Sequence, residues 1–264
     1  MIKLLSASNT HVGLVRSNNE DAYLDIPDRG LFALSDGMGG AAAGEVASRC
    51  FIETVERIFA NKTEKSVEED AVLAEKVFTH ANKQILEHSE KNPEDRGMGC
   101  TGDLLVFSGS QYTIGHVGDS RIYLLRNRKL RQLTKDHSLV QGWVDQGMIT
   151  DEDARHHPRK NILLQAIGTQ PVLSPDILTG EALSQDLFLL CSDGLTDMVE
   201  DDAIQEMLAS AELLQNKLDD LITAALAAGG KDNVTAVLCE LEIDAPHPYG
   251  ARESNLANDR QNGK

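Results

Sequence analysis

The stretch LFALSDGMGG, residues 31–40, joins an apolar run to a carboxylate and a cluster of glycines. The run predicts a short buried strand that ends at Asp36. Gly37 permits close approach of backbone and leaves its own carbonyl unshielded by a side chain. Taken alone, an Asp-Gly pair after a strand more often marks a turn than a site. Only a recurrence of the pattern would therefore indicate chemistry.

The pattern recurs in the second half of the chain, where the run LFLLCSDG, residues 187–194, also ends in Ser-Asp-Gly. Asp119 follows the apolar run 112–118, and Asp232 precedes the run 234–241. Each of these carboxylates stands at a predicted strand end, beside glycine or a small polar residue. Together with Asp36 and Asp193, they predict a shared oxygen-rich site for hard divalent cations.

Composition favours one large globular domain and disfavours nucleic acid and membranes as partners. The chain has 264 residues, 41% of them hydrophobic, and shows no break in composition before a polar tail. We expect a domain over residues 1–244 and a disordered tail over 245–264. The net charge of −17 disfavours nucleic acid and anionic membranes as partners, because both are polyanions. The low aromatic content of 4% argues against a base-stacking surface.

Cysteine spacing and hydropathy predict a cytoplasmic protein. Cys50, Cys100, Cys191 and Cys239 form no Cys-x-x-Cys pair, so they are interpreted as small buried hydrophobes in a reducing compartment. No run approaches the length of a membrane span or the pattern of a signal peptide.

The order of predicted elements favours a mainly antiparallel α+β fold over a doubly wound parallel sheet, because strands and helices do not alternate strictly. Helical periodicity predicts helices at 44–59, 68–90, 203–209 and 213–228. We expect strands at 2–8, 21–26, 31–35, 103–107, 112–117, 121–125, 130–133, 162–166, 176–180, 186–191 and 234–243.

Other phosphate-binding motifs are weaker. Residues 37–42 match the dinucleotide pattern G-x-G-x-x-A, but Asp36 would direct a negative charge at the pyrophosphate. Residues 39–44 have the glycine spacing of a P-loop, yet Glu45 stands where lysine is required. Arg16 offers the planar fork that binds phosphate bidentately, and it lies just ahead of two acids. An arginine beside a carboxylate cluster indicates a metal-dependent phosphate hydrolase.

Several motifs in one order resemble the metal-dependent protein serine/threonine phosphatases, the type 2C family, in its compact bacterial form. The resemblance covers about residues 4–241. The motifs are GLVR (13–16), NEDA (19–22), DGMGG (36–40), GDSR (118–121), LTKDHS (133–138), AIG (166–168), SDGLTD (192–197) and KDNVT (231–235).

The resemblance implies a four-layer αββα sandwich of two antiparallel sheets flanked by helix pairs, with two Mn²⁺ or Mg²⁺ ions at one edge. It implies that Asp36 bridges both ions, and that the carbonyl of Gly37 and the carboxylates of Asp193 and Asp232 complete the ligands. Asp21 would bind partly through water. The reaction implied is direct attack of a water or hydroxide that bridges the two cations.

The remaining site residues follow from the same resemblance. Glu20 would support the metal ligands, Arg16 would hold the substrate phosphate, and Asp119 would help to bind a third, weaker ion. Residues 137–160 match the variable flap beside the site. The implied substrates are phosphorylated proteins, in company with a cognate serine/threonine kinase, and we expect a monomer.

Three departures from the family pattern bear on this interpretation. Met38 and Ala41 stand where many relatives carry a histidine that protonates the leaving group. The usual Gly-Thr-Thr/Ser strand start reads GCTG at 99–102. We expect no membrane anchor after the domain, unlike some bacterial relatives. Two alternatives stay open: a pseudophosphatase that binds phosphoproteins without turnover, and a hydrolase of small phosphoesters.

Overall fold

The computed structural model of the protein describes residues 2–39, 43–60, 62 and 66–243, so the predicted tail and Ala41 lie outside the described residues. The strands are β1 (Ile2–His11), β2 (Ala22–Ile26), β3 (Leu31–Ser35), β4 (Gly37–Met38), β5 (Gly99–Cys100), β6 (Gly102–Ser108), β7 (Gln111–Val117), β8 (Arg121–Arg126), β9 (Lys129–Gln132), β10 (Asp176–Glu181), β11 (Leu187–Cys191) and β12 (Val234–Ile243). The helices are α1 (Ala43–Phe59), α2 (Val67–Lys91), α3 (Leu139–Asp145), α4 (Asp151–Arg155), α5 (Asp193–Thr196), α6 (Asp201–Leu208) and α7 (Leu214–Ala227).

Two five-stranded sheets form the centre of the fold. One has the strand order β1-β12-β11-β8-β9, and the other has the order β10-β7-β6-β3-β2. All neighbouring strands in both sheets are antiparallel. β4 follows directly after β3 and pairs with β5 in a separate two-stranded antiparallel ribbon. The expected mainly antiparallel α+β class is confirmed.

The central strands are buried on both faces, which explains why their sequences are continuously apolar instead of alternating. In β3, Phe32 and Leu34 belong to the core between the sheets, whereas Leu31 and Ala33 belong to the core under the helices. Edge-to-face aromatic contacts fill the space between the sheets, where the rings of Phe107 and Phe188 lie 5.3 Å apart.

Helices cover the outer face of each sheet. Phe51 of α1 and Phe78 of α2 pack with ring centroids 5.3 Å apart, in the apolar core that these helices share with β3 and β6. Ile204 of α6 and Leu221 of α7 belong to the corresponding core over the other sheet. The implied four-layer αββα sandwich is therefore confirmed.

One predicted strand is wrong. Residues 162–166 form no ladder, because Leu163 makes a single bridge with Ser138 while Ile167 bridges Cys100. The segment pairs with two different parts of the chain within a few residues, so it forms isolated bridges in place of a continuous strand. The short helix α5 was not predicted, since its four residues are too few to show helical periodicity.

The cysteines agree in part with the expectation of small buried thiols. All four are free thiols; Cys100, Cys191 and Cys239 are buried as expected, whereas Cys50 is only half-buried. Across the described ranges, no helix has the length and apolar character needed to cross a bilayer.

Candidate active site

Loops at one edge of the sandwich line a pocket of about 200 Å³. Asp36 and Asp119 follow β3 and β7 of one sheet, whereas Asp193 follows β11 and Asp232 precedes β12 of the other. Antiparallel pairing places the ends within each sheet at one edge, and the short connection from β7 to β8 joins the two sheets there. The pocket holds all but one of the predicted site residues, namely Arg16, Glu20, Asp36, Gly37, Asp119, Asp193 and Asp232.

Asp36 is fixed by backbone and hydroxyl contacts at the end of β3. Its N–H donates to Thr101 Oγ1 at 2.8 Å, and its carbonyl accepts from the N–H of Thr101 at 2.8 Å. Burial raises the pKa of the Asp36 carboxyl well above its ordinary value, and the charges of Asp21 and Asp193 raise it further. The environment of Asp36 therefore disfavours an unpaired negative charge.

Gly37 is required by close packing of three backbone segments. A Cβ atom at this position would lie 2.2 Å from the carbonyl oxygen of Gly44 and 2.6 Å from that of Glu20. The Gly37 N–H donates to the Glu20 carbonyl at 3.1 Å, and Ser48 Oγ donates to the same oxygen at 2.6 Å. These contacts hold the start of α1 against the loop that precedes β2.

Asp21, the remaining predicted residue, lies behind the pocket lining. Its Oδ2 accepts hydrogen bonds from Ser192 Oγ at 2.8 Å and Thr235 Oγ1 at 2.6 Å. Its Oδ1 is buried and has no hydrogen-bond partner among the described residues. Burial raises the pKa of Asp21 to about 6, against the lowering effect of the two hydroxyl donors. One carboxylate oxygen is therefore held while the other is free to bind a ligand.

Asp193 and Asp119 add two further acids, each partly buried in the pocket wall. Asp193 is the first residue of α5, and burial together with the charge of Asp119 raises its pKa well above the ordinary value. Burial and then the charge of Asp136 raise the pKa of Asp119 to about 7. Mutual repulsion among such groups is relieved by protons or by cations.

Arg16 and Asp232 form an ion pair at the pocket wall. Arg16 Nη2 lies 2.6 Å from Asp232 Oδ2, and their side chains are 53% and 33% exposed. The hydrogen bond to Asp232 raises the pKa of Arg16. Burial raises the pKa of the neighbouring Glu20, whereas the charge of Arg16 lowers it. Arg16 keeps most of its donors available for a further anion.

The donor set fits hard divalent cations. It consists of carboxylate oxygens and a glycine carbonyl, which are the ligands that Mn²⁺ and Mg²⁺ prefer. The orphaned, buried Asp21 Oδ1 and the raised carboxyl pKa values fit a cation at this place. Within residues 2–39, 43–60, 62 and 66–243, however, no three His, Cys, Asp or Glu side chains stand together at metal-ligand spacing. Asp232 is paired with Arg16.

The predicted flap, residues 137–160, contains α3 and α4 and is closed at its base by backbone pairing. The N–H of Leu164 donates to the His137 carbonyl at 2.7 Å. Arg155 Nη2 donates to the Thr196 carbonyl at 2.7 Å, which attaches the flap to the segment after β11. The flap therefore stands beside Asp193, as the resemblance implies.

The polar residues that hold the acids were not among the predicted site residues. Thr101, Ser192, Thr235 and Asn233 each donate or accept a hydrogen bond with an acidic residue's side chain or backbone. Ser192, Asn233 and Thr235 occur inside the quoted motifs SDGLTD and KDNVT, within three positions of a predicted ligand, and this proximity was the signal that the sequence offered.

Comparison with known proteins agrees with the fold and identifies the family. The profile of the family described as protein phosphatase 2C matches residues 10–239. The serine/threonine phosphatase stp of Listeria monocytogenes serotype 4b is 40% identical over 238 residues, covering 89% of this chain and 94% of that protein.

Solved structures give the same result. The serine/threonine phosphatase PstP/Ppp of Mycobacterium tuberculosis superposes with a TM-score of 0.85 at 39% identity, over 91% of this chain and 100% of that one. Stp1 of Staphylococcus aureus gives a TM-score of 0.86 at 34% identity, over 92% and 96%. The catalytic domain of PstP, solved in complex with two manganese ions, gives 0.84 at 37% identity, over 92% and 100%. The chain belongs to the protein phosphatase 2C family.

Proposed function

We propose that this chain is a metal-dependent protein phosphatase that hydrolyses phosphoserine and phosphothreonine in proteins. The observation that carries the proposal is the pocket in which Asp36, Asp193 and Asp232 meet beside Gly37, with the half-exposed Arg16 in the same wall. Family membership supports the reaction class, since the relatives compared above are serine/threonine phosphatases by name.

Two Mn²⁺ or Mg²⁺ ions are the cofactors that this donor set would hold. Asp36 would serve both ions, and the Gly37 carbonyl, Asp193, Asp232 and Asp21 would supply the other protein ligands. The manganese ions of the related PstP catalytic domain support this assignment. When bound, such ions supply Lewis acidity and make water nucleophilic near neutral pH.

The remaining residues position the substrate and the ligands. Arg16 would bind the phosphoryl oxygens through its planar fork and orient the phosphorus for in-line attack. Glu20 would support the metal ligands, and Asp119 would help to bind a third, weaker ion. Met38 lines the pocket and has no proton to give. The general acid is thus not a side chain at position 38, and water could serve as the proton donor for the leaving seryl or threonyl oxygen.

The proposal extends to the cellular setting. Residues 1–244 would be the catalytic domain, acting as a monomer in the cytoplasm on phosphorylated proteins that a serine/threonine kinase supplies. Four free cysteines and a net charge of −17 support a reducing compartment and argue against nucleic acid and membrane partners.

The test is hydrolysis of a phosphothreonine peptide by metal-stripped protein while Mn²⁺ is titrated back, for wild type and Asp193→Asn. We expect activity that rises with Mn²⁺ in the wild type and is lost in the variant. Peptide binding without turnover would support the pseudophosphatase instead. A small aryl phosphate ester, assayed at the same Mn²⁺ concentration, tests whether the protein is a hydrolase of small phosphoesters. Faster turnover of that ester than of the peptide would indicate such a hydrolase.

A further inference from the structure

We propose that Asn233 is a positioning residue that holds the Arg16 loop, defined as residues 12–18, in the conformation that binds phosphate. The proposal rests on the proposed function, because it takes Arg16 as the residue that contacts the substrate phosphoryl group. Asn233 would act through Arg16 and would not contact the reacting atoms itself.

Asn233 connects both ends of the Arg16 loop from a distant part of the chain. Its Nδ2 donates to the Val12 carbonyl at 3.0 Å and to the Asn18 carbonyl at 2.9 Å. Its Oδ1 accepts from the Glu20 N–H at 2.8 Å. The side-chain amide thus uses both donors and its acceptor, and the partners fix its orientation, since two are carbonyls and one is an N–H. Asn233 is 5% exposed.

The middle of the loop is held by the same segment of chain. The Leu14 N–H donates to the Gly230 carbonyl at 2.7 Å. Gly13 has a φ of +82°, and a Cβ atom there would lie 2.2 Å from the Asp232 carbonyl oxygen. The loop therefore follows the backbone of residues 230–233 too closely to move independently of it.

Arg16 itself is weakly held. Its side chain is 53% exposed, and the hydrogen bond that the structure gives it goes to Asp232 at 2.6 Å. A long, exposed side chain keeps a fixed direction only if its backbone is fixed, because its own rotamer freedom is large. The amide of Asn233 supplies that fixed backbone at both loop ends, so losing it should impair phosphate capture more than folding.

Asn82 provides a matched control. It is also a buried asparagine, 4% exposed, that ties a helix to a loop. Its Nδ2 donates to the Gln170 carbonyl at 3.0 Å, and its Oδ1 accepts from the Gly168 N–H at 2.7 Å. Asn82 does not line the pocket, so Asn82→Leu tests what losing a comparable amide does to stability alone.

The experiment compares Asn233→Leu and Asn82→Leu by hydrogen–deuterium exchange and by kinetics with a phosphothreonine peptide and Mn²⁺. For Asn233→Leu we expect faster exchange in residues 12–20, KM raised about tenfold, and inhibition by inorganic phosphate weakened in parallel. The Mn²⁺ affinity measured by calorimetry should change less than twofold. Asn82→Leu should leave exchange in residues 12–20 and the KM unchanged.

A double-mutant cycle tests whether Asn233 acts through Arg16. In an Arg16→Ala background, Asn233→Leu should have almost no further effect on kcat/KM. Additive losses, or a KM equal to that of the wild type, would overturn the proposal. Asn233→Ser, which is a milder change, carries the same test if Asn233→Leu does not fold. If neither variant folds, Asn233 is a folding residue and the proposal is wrong.

The proposed function fails separately from this inference. If wild type shows no Mn²⁺-dependent turnover, the phosphatase proposal is contradicted, while the exchange comparison still decides whether Asn233 holds the loop.

Discussion

Replacing Arg16 by alanine should lower kcat/KM for a phosphopeptide by about 10- to 30-fold. A hydrogen bond to a charged group contributes about 1.5–3 kcal/mol. The Arg16 side chain is 53% exposed, so solvent screening places the effect in the lower half of that range, at about 1.5–2 kcal/mol. At 1.36 kcal/mol for each factor of ten, this corresponds to about 10- to 30-fold in rate.

The assay measures kcat/KM on a phosphothreonine peptide at saturating Mn²⁺ for wild type, Arg16→Ala and Arg16→Lys. Arg16→Lys should fall between the other two, because lysine keeps the charge but lacks the bidentate fork. Arg131→Ala, which removes an exposed arginine from β9, is the control and should match the wild type. Arg16→Ala within twofold of the wild type would refute the assignment of phosphate to Arg16.

Three further predictions concern stability. Gly37→Ala places a Cβ atom 2.2 Å from a backbone oxygen of α1, and should lower the free energy of unfolding in urea by about 1–3 kcal/mol; an unchanged midpoint would contradict it. Asp70→Asn breaks the buried ion pair in which Lys62 Nζ lies 2.5 Å from Asp70 Oδ1. It should lower the free energy of unfolding in the same assay by on the order of 3 kcal/mol, while kcat/KM stays constant. The Asp103–His116 pair should make the free energy of unfolding fall as pH rises. In urea melts between pH 5 and pH 8, Asp103→Asn should flatten this trend. Parallel stability curves for wild type and variant would exclude this contribution.

The sign of that pH effect follows from both members of the pair. Burial raises the pKa of Asp103 from 3.8 to about 6. Burial lowers the pKa of His116, but the charge and hydrogen bond of Asp103 outweigh it and leave that pKa raised. The folded state therefore holds protons more tightly than the unfolded state. Stability is lost between about pH 4 and pH 6 through Asp103, and again above pH 6.5 through His116.

The acids at strand ends could be predicted from sequence because their signal is local. An apolar run followed by Ser-Asp-Gly fixes both the strand and the position of Asp36 or Asp193 at its end. Asp119 lies in the short connection between β7 and β8, which joins the two sheets, and antiparallel pairing of β8, β11 and β12 places the start of β12, next to Asp232, at the same edge.

The contacts that hold these acids could not be predicted, because they join residues far apart in the chain. Asp21 receives hydroxyl donors from residues 171 and 214 positions away, and Arg16 meets Asp232 across 216 positions. No periodicity or turn pattern links such pairs. The strand expected at 162–166 failed for a related reason, since its apolar sequence cannot reveal that Leu163 and Ile167 have different partners.

The most direct test of the account is Mn²⁺ binding to the metal-stripped protein by isothermal titration calorimetry, for wild type and Asp36→Asn. We expect two Mn²⁺ ions per wild-type chain and loss of both from Asp36→Asn, since that carboxylate is proposed to contact both ions. A wild-type chain that binds no Mn²⁺, or an Asp36→Asn variant that binds two ions as tightly as the wild type, would contradict the central claim.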